Sequence, residues 1–219
     1  MPSKATVRRL LETADYSAVA ELAAHRRRIF GALVSLTYDA DPDVAWRAVE
    51  ALGVAAARVA PQDPAAVREV LRRLFWLIQE ESGGICWRAP EAMAEIVHRC
   101  PEAFADYVPI IVSLLAEMAE EDLHHFRAGV LWAIGRLGPV ARPHVDRALP
   151  GIAAALEHRD PQVRGMAVWC LIQIGHGDRV AQRPALRSDE ELVDFYDGGT
   201  LRRVTIRTLA APAGTTGDG

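Results

Sequence analysis

Tryptophan and glutamate recur at matched positions along the chain, and this pairing is its clearest candidate for binding chemistry. Trp46 and Glu50 are four residues apart, as are Trp87 and Glu91, so each pair lies on one face of a helix. A third copy has its tryptophan, Trp132, at the second position of the pair. Aromatic rings beside carboxylates are typical of grooves that bind peptides or cationic groups. The alternative is that these rings pack between neighbouring repeats, because tryptophan is usually largely buried.

Arginines extend this pattern of rings and carboxylates. Arg47 and Arg88 directly follow the first two tryptophans, and each has a glutamate three residues further on with which it can form an ion pair. We expect the rings and charges to line one open groove in which the tryptophans anchor a partner. The predicted groove residues are Trp46, Arg47, Glu50, Trp87, Arg88, Glu91, Arg127 and Trp132.

A glycine-rich turn precedes the helix that carries Trp87. Ser82, Gly83 and Gly84 would expose backbone N–H groups at the positive end of that helix, where an anion can bind. The alternative is a tight turn in which the glycines supply positive φ angles and Ser82 caps the helix. The turn lacks the Gly-Lys-Ser/Thr sequence of a nucleotide-binding loop.

The remaining reactive side chains do not form a catalytic or metal-binding pattern. Glu121 and His125 are one helical turn apart, but no equivalent repeat supplies a second such pair, and we predict no metal site. Cys86, Cys100 and Cys170 lack metal-ligand spacing, which favours buried, reduced thiols. No Gly-x-Ser-x-Gly nucleophile motif occurs. These observations predict a protein without catalytic residues or a cofactor.

The candidate residues lie on a repeated unit. A sequence beginning Asp-Pro-x-Val occupies residues 41–53 and recurs at 160–172, with weaker copies at 85–97 and 126–138. The copies start roughly 40 residues apart, a period typical of helical solenoids. Asp-Pro predicts a helix start, because aspartate caps a helix and proline suits its first position.

Each copy is preceded by a second apolar helix, so the unit is a helix pair. We predict an all-α solenoid of about four helix pairs over residues 1–187, with a small C-terminal β-hairpin. The expected elements are N-terminal cap helices over 5–24 and repeats over approximately 26–58, 64–98, 104–138 and 143–176.

The end of the chain departs from the helical pattern. Asp197-Gly198-Gly199-Thr200 separates two runs rich in β-branched and aromatic residues, which is a hairpin signal. We expect residues 188–210 to form a hairpin that caps the last repeat, because terminal repeats otherwise expose apolar faces. Residues 211–219 are small and polar, and we expect them to be disordered.

The motif Asp-Pro-x-Val-(Arg)-x-x-Ala-x-x-Ala-Leu-Gly at 41–53 and 160–172 resembles the HEAT-like repeat family, including its phycobilin-lyase-type (PBS-lyase) subgroup. The resemblance covers residues 26–176. It implies an α-α superhelix whose second helices line a concave surface. It also implies a ladder between the motif arginine and aspartates of adjacent repeats. Only Arg127 and Arg164 match that arginine, so we expect the ladder in the C-terminal half alone.

Composition narrows the range of partners. The 25 basic and 29 acidic side chains give a net charge of −4, which argues against a nucleic-acid-binding surface. No apolar run reaches the length of about 18 residues that spans a membrane, and the N-terminus lacks a secretory h-region. With three cysteines in no disulfide pattern, we expect a cytoplasmic location.

We therefore predict a non-enzymatic interaction or scaffold module that binds a protein or peptide partner along the concave groove, as a monomer or weak dimer. Two alternatives stay open. The resemblance suggests a protein that binds a tetrapyrrole or another aromatic small molecule, or acts on it as a lyase. A HEAT-like DNA glycosylase is less favoured, because it would need a basic groove.

Overall fold

The computed structural model describes residues 3–79, 88–120 and 126–211. The prediction of an all-α fold with a small C-terminal hairpin is confirmed. The chain divides into two compact units. The first comprises the residues up to Tyr107 together with Tyr196–Leu201, and the second comprises Val108–Phe195 together with the residues from Arg202 onwards. The expected boundary at residue 187, between a solenoid and a cap, stays a prediction.

The two units share the two strands of the hairpin, whereas each helix belongs to one unit. The helices of the first unit are α1 (Lys4–Glu12), α2 (Tyr16–His25), α3 (Ile29–Leu36), α4 (Pro42–Val59), α5 (Pro64–Gln79), α6 (Ala89–Arg99) and α7 (Pro101–Phe104). Those of the second unit are α8 (Val108–Glu120), α9 (Arg127–Leu137), α10 (Leu149–Ala154), α11 (Pro161–Gln173), α12 (Gly177–Ala181) and α13 (Ile206–Ala210). The strands are β1 (Leu192–Asp197) and β2 (Thr200–Thr205).

The two Asp-Pro signals start helices as expected. The carboxylate of Asp41 accepts the backbone N–H of Asp43, and that of Asp160 accepts the N–H of Gln162. A proline follows each aspartate at the first helical position. These caps fix where the long second helices α4 and α11 begin.

Helix α4 forms the centre of the first unit, where it packs against α2, α3 and α6. Its apolar stripe of Val44, Ala48 and Leu52 is fully buried. Gly53 is buried on another face of α4, and a Cβ built on it would lie 2.7 Å from Cγ and 2.9 Å from the carbonyl oxygen of Glu95. The absence of a side chain at Gly53 therefore lets α4 and α6 approach closely.

The predicted N-terminal cap consists of two helices. The chain turns between α1 and α2 at Ala14, whose φ angle of 52° lies in the left-handed region. Asp15 then caps α2 by accepting the N–H of Ala18. The first helix of the last repeat, expected from residue 143, starts later than predicted. It is α10, which begins at Leu149, because Pro150 is tolerated only in the first turn of a helix.

The C-terminal hairpin forms where its turn signal predicted it. Gly198 and Gly199 have φ angles of 55° and 79°, the backbone that a two-residue turn between twisted strands requires. The second strand ends at Thr205, whose side chain caps α13, and Ile206 begins that helix. The predicted hairpin segment thus ends in a short helix. Of the predicted disordered tail, residues 212–219 lie outside the described residues.

Candidate functional site

Three of the predicted groove residues contact one short segment of the same unit, Tyr196–Leu201, which we call the hairpin tip. The ring of Tyr196 stacks on the indole of Trp46, with centroids 5.0 Å apart and planes 4° from parallel. The Tyr196 hydroxyl donates to Oε2 of Glu50 at 2.6 Å. Arg47 donates from Nε to the carbonyl oxygen of Gly199 at 3.4 Å. The α4 face that we expected to bind a partner therefore holds a segment of its own chain.

Glu50 is the polar centre of this contact. Its Oε2 also accepts the Tyr16 hydroxyl at 3.2 Å, and its Oε1 accepts Nη2 of Arg99 at 3.2 Å. Burial raises the pKa of Tyr16 to about 12. Burial and the hydrogen bond to Glu50 also raise the pKa of Tyr196. Both phenols are therefore neutral donors at physiological pH, and they satisfy a carboxylate that would be costly to bury without partners.

Arg47 has a structural role in addition to its contact with the hairpin tip. Its Nη1 donates to the carbonyl oxygens of Leu11 and Glu12, at 3.2 and 2.9 Å. These carbonyls belong to the last turn of α1, where backbone acceptors lack intrahelical partners and favour a cation. Arg47 thus connects the end of α1 to α4 and to the turn of the hairpin.

The expectation of an open groove lined by exposed rings is wrong at Trp46 and Trp132. Trp46 is only 8% exposed, because Tyr196 covers its ring. In the second unit Trp132 is 3% exposed and stacks on Trp169 at 5.9 Å, and Trp169 contacts the edge of Phe195 at 5.4 Å. Both predicted anchors are buried inside their own units. Trp132 packs against Trp169 of the next repeat, as the alternative interpretation proposed, whereas Trp46 packs against Tyr196 of the hairpin.

Glu91 also differs from the expectation of an exposed groove residue, because it is only 2% exposed. Its Oε1 lies 3.8 Å from Nη1 of Arg88, and its Oε2 is buried with no hydrogen-bond partner among the residues that the structure describes. Burial raises the pKa of Glu91 to about 7, although the positive charge of Arg88 opposes this shift. The spacing of Glu91 from Trp87 therefore does not indicate that the Glu91 carboxylate is exposed to solvent.

The guanidinium of Arg88 lies over the Trp46 ring, 4.2 Å from its centroid, in a cation–π contact. Arg88 also borders a small cleft of about 290 Å³ at the start of α4. The cleft is lined by Thr37, Tyr38, Asp39, Pro42, Ala45 and Arg88. We refer to it as the Arg88 cleft.

Two side chains give the Arg88 cleft its character. Tyr38 is 43% exposed, which is unusual for a large aromatic residue of this chain. Asp39 accepts Nε of Arg8 at 2.9 Å and Nη2 of Arg8 at 3.2 Å, and this paired contact lowers the pKa of its carboxyl. Because Arg8 neutralises Asp39, Arg88 contributes the net positive charge of the cleft.

The arginine ladder implied by the family resemblance takes a different form. Arg164 donates from Nε and Nη2 to Oδ2 of Asp189, at 3.2 and 3.0 Å, rather than to an aspartate of a repeat motif. Its Nη1 donates to the carbonyl oxygen of His158 at 2.8 Å. Arg127 is half-buried at the first position of α9. Trp87 and the turn of Ser82, Gly83 and Gly84 lie outside the described residues.

The described thiols are poor candidates for chemistry. Burial raises the pKa values of both Cys100 and Cys170, so neither forms a ready thiolate nucleophile. Among the described residues, no group of three or more His, Cys, Asp and Glu side chains is placed to hold a metal ion. Glu121, His125 and Cys86 lie outside those residues. No helix in the described ranges combines the length and the hydropathy needed to span a membrane.

Replacing Glu91 with glutamine should remove a pH dependence of stability. Between the ordinary glutamate pKa of 4.5 and about 7, the unfolded chain loses this proton whereas the folded chain keeps it. The folded state is therefore destabilised as pH rises through this window, by up to roughly 3 kcal/mol. We expect urea melts to show Glu91→Gln gaining stability relative to the parent chain from pH 5 to pH 8.

The exposed Glu102 provides the matched control for this measurement. Glu102→Gln should leave the difference from the parent chain constant between pH 5 and pH 8. An equally constant difference for Glu91→Gln would show that Glu91 is already ionised in the folded protein at pH 5.

The repeats, their Asp-Pro helix starts and the all-α fold define a HEAT-like repeat protein, and the chain belongs to this family. The family model described as HEAT-like repeat matches residues 124–174. The phycobilin-lyase-type subgroup is not supported by this match.

Comparisons with single proteins give two further findings. An uncharacterized protein of Archaeoglobus fulgidus is 30% identical over 180 residues, and the alignment covers 81% of this chain and 91% of the archaeal protein. Among solved structures, the crystal structure of an engineered protein aligns with 15% identity and a TM-score of 0.46. The alignment covers 96% of this chain and 90% of the engineered chain. HEAT-like repeats suggest a protein-interaction scaffold.

Proposed function

We propose that this chain is a non-enzymatic protein-interaction module whose first unit binds an extended segment of a partner protein at the Arg88 cleft. The observation that carries the proposal is the placement of Arg88, over the ring of Trp46 and at the wall of a cleft that also exposes Tyr38. Arginine and tyrosine are, with tryptophan, the side chains most enriched at the energetic centres of protein interfaces.

The surroundings of Arg88 suit it to recognise a carboxylate. The stacking on Trp46 limits the conformations of a long side chain, which reduces the entropy lost on binding. Its distance of 3.8 Å to Glu91 is long for an ion pair, and protonation of Glu91 near neutral pH would weaken that attraction further. Asp39, the acidic residue of the cleft, is already engaged by Arg8. An acidic side chain of a partner would therefore meet little repulsion there.

The hairpin tip supports the same proposal, because its contacts with α4 resemble those that a bound peptide would make. The α4 face already accepts an aromatic ring on Trp46, a hydroxyl on Glu50 and a backbone carbonyl on Arg47. These are the contacts that an extended peptide offers. Among the described residues, no observation favours the tetrapyrrole or DNA alternatives over a protein partner.

A photo-crosslinking experiment tests this function in the native cell. A benzophenone amino acid in place of Tyr38 keeps an aromatic side chain at the cleft, and we expect it to form a discrete adduct with a protein partner. The double variant Arg88→Gln, Glu91→Gln removes both charges together, so that no buried carboxylate loses its partner. We expect this variant to abolish the adduct while retaining the helical circular dichroism spectrum.

The same probe in place of the exposed Leu192 of the second unit is the control, and it should not yield that adduct. If the Tyr38 probe gives no adduct, or gives one that persists in the double variant, the Arg88 cleft is not the binding site.

A further inference from the structure

A second cleft of the first unit has features that the proposed site does not explain. Its volume is about 590 Å³, within the range of roughly 300–1,000 Å³ that is common for ligand pockets. Its described lining contains three arginines, Arg27, Arg28 and Arg73, against one acidic residue, Glu69. The cleft is therefore positively charged, although the chain as a whole has a net charge of −4.

The arginines of this cleft differ in how far they are already engaged. Arg27 donates from Nη1 to the carbonyl oxygen of Ala23 at 2.6 Å and from Nε to Oδ2 of Asp63 at 3.4 Å. Arg73 is exposed, and its Nη1 lies 3.7 Å from an ideal Cβ position at Gly31. Within the described ranges of the chain, Arg73 has no hydrogen bond or ion pair. Its guanidinium donors therefore remain available for an external acceptor.

An exposed tryptophan adjoins the cleft. Trp76 is 58% exposed and follows Arg73 by three residues on α5, so the two side chains are neighbours on the helix surface. The floor of the cleft is apolar, since Phe30 and Val70 are both buried hydrophobic residues that line it. An exposed tryptophan beside arginines and an apolar floor matches the composition of interface hot spots.

We infer that Arg28, Arg73 and Trp76, together with the floor of Phe30 and Val70, form a docking surface for an acidic segment of a protein partner. We call these five residues the Arg73 surface. The charge of the cleft selects carboxylates, and its apolar floor and Trp76 accept an aliphatic or aromatic anchor between them. A nucleic acid fits less well, because Glu69 lies in the cleft and the acidic side chains of the chain outnumber the basic ones.

Fluorescence anisotropy of the intact chain with a labelled peptide tests this inference. The probe is a synthetic peptide with a central leucine flanked by glutamates, and its comparison is the same peptide with glutamines. We expect saturable binding of the glutamate peptide that weakens with added salt. We expect Arg73→Glu to weaken binding of the glutamate peptide at least about tenfold, because a glutamate at this position repels the carboxylates that Arg73 attracts. Trp76→Ala should weaken it several-fold, because the leucine loses its aromatic contact.

The exposed Arg9 of α1 provides the control, because Arg9→Glu changes the net charge equally without altering the cleft. It should leave the peptide affinity within about twofold of the parent value. Equal binding of the glutamine peptide, an unchanged affinity in Arg73→Glu, or no saturable binding of the glutamate peptide would each overturn the inference. Tighter binding of duplex DNA or of anionic vesicles at the same salt concentration would also overturn it, because the surface would then serve a polyanion.

Discussion

Trp46→Ala should lower the free energy of unfolding by about 3–5 kcal/mol in urea melts at neutral pH. The indole is buried, stacks on Tyr196 and lies under the guanidinium of Arg88, so its removal leaves a cavity with partners on more than one side. The neighbouring Glu50 retains its donors, but Tyr196 loses the surface that positions its hydroxyl. We expect a large loss because ring contacts and buried area disappear together.

Trp76 is the matched control for this substitution, because it is the same residue type in the same unit but is more than half exposed. Trp76→Ala should cost no more than about 0.5–1 kcal/mol, as changes on the surface usually do. If Trp46→Ala cost as little as Trp76→Ala, the Trp46 ring would lie in an open groove after all, and the hairpin tip would not cover it in solution.

Gly53→Ala should also destabilise the protein, by about 1–3 kcal/mol. Alanine normally favours a helix over glycine by up to about 1 kcal/mol, so propensity alone predicts the opposite sign. Packing decides the outcome, because the new methyl group would lie 2.9 Å from the carbonyl oxygen of Glu95. That atom belongs to the backbone of α6, so relief of the clash requires α4 and α6 to move apart.

A glycine without close neighbours provides the control for Gly53→Ala, because there only helix propensity changes and packing does not. A Cβ at the exposed Gly151 of α10 would meet only Cδ2 of Leu115, at an ordinary distance of 3.9 Å. Gly151→Ala should therefore leave stability unchanged or raise it by up to about 1 kcal/mol. A gain of similar size for Gly53→Ala would mean that α4 and α6 are less closely packed than the distances indicate. Thermal melts of both variants make this comparison directly.

Local signals predicted the elements of this fold because their causes lie within a few residues. Asp41 and Asp160 cap the helices that follow them, and the two glycines of the hairpin adopt the positive φ angles that their turn requires. Val44, Ala48 and Leu52 recur every four residues along α4, and all three are buried in the core. Boundaries failed where a single proline acted against an otherwise helical pattern, as at Pro150.

The candidate site was less predictable, because its contacts join distant parts of the chain. Spacing placed Trp46 and Glu50 on one helix face, but it carried no information on what covers that face. Tyr196 is 146 residues away from Glu50, and Tyr16 is 34 residues away. Tyr16 has no signal that marks it as a partner of α4, whereas Tyr196 lies beside a recognisable hairpin turn. A search for what a hairpin covers could have suggested Tyr196.

The place of the hairpin tip in the chain also shapes how the protein is made. Residues up to Tyr107 leave the ribosome first, and Tyr196–Leu201 follows about 90–100 residues later. At translation rates of roughly 5–20 residues per second, Tyr196 is added on the order of 7–30 s after Glu50, because 146 residues separate the two. During that interval the indole of Trp46 lacks its aromatic partner. The first unit therefore gains the last part of its own packing only after most of the second unit has been synthesised.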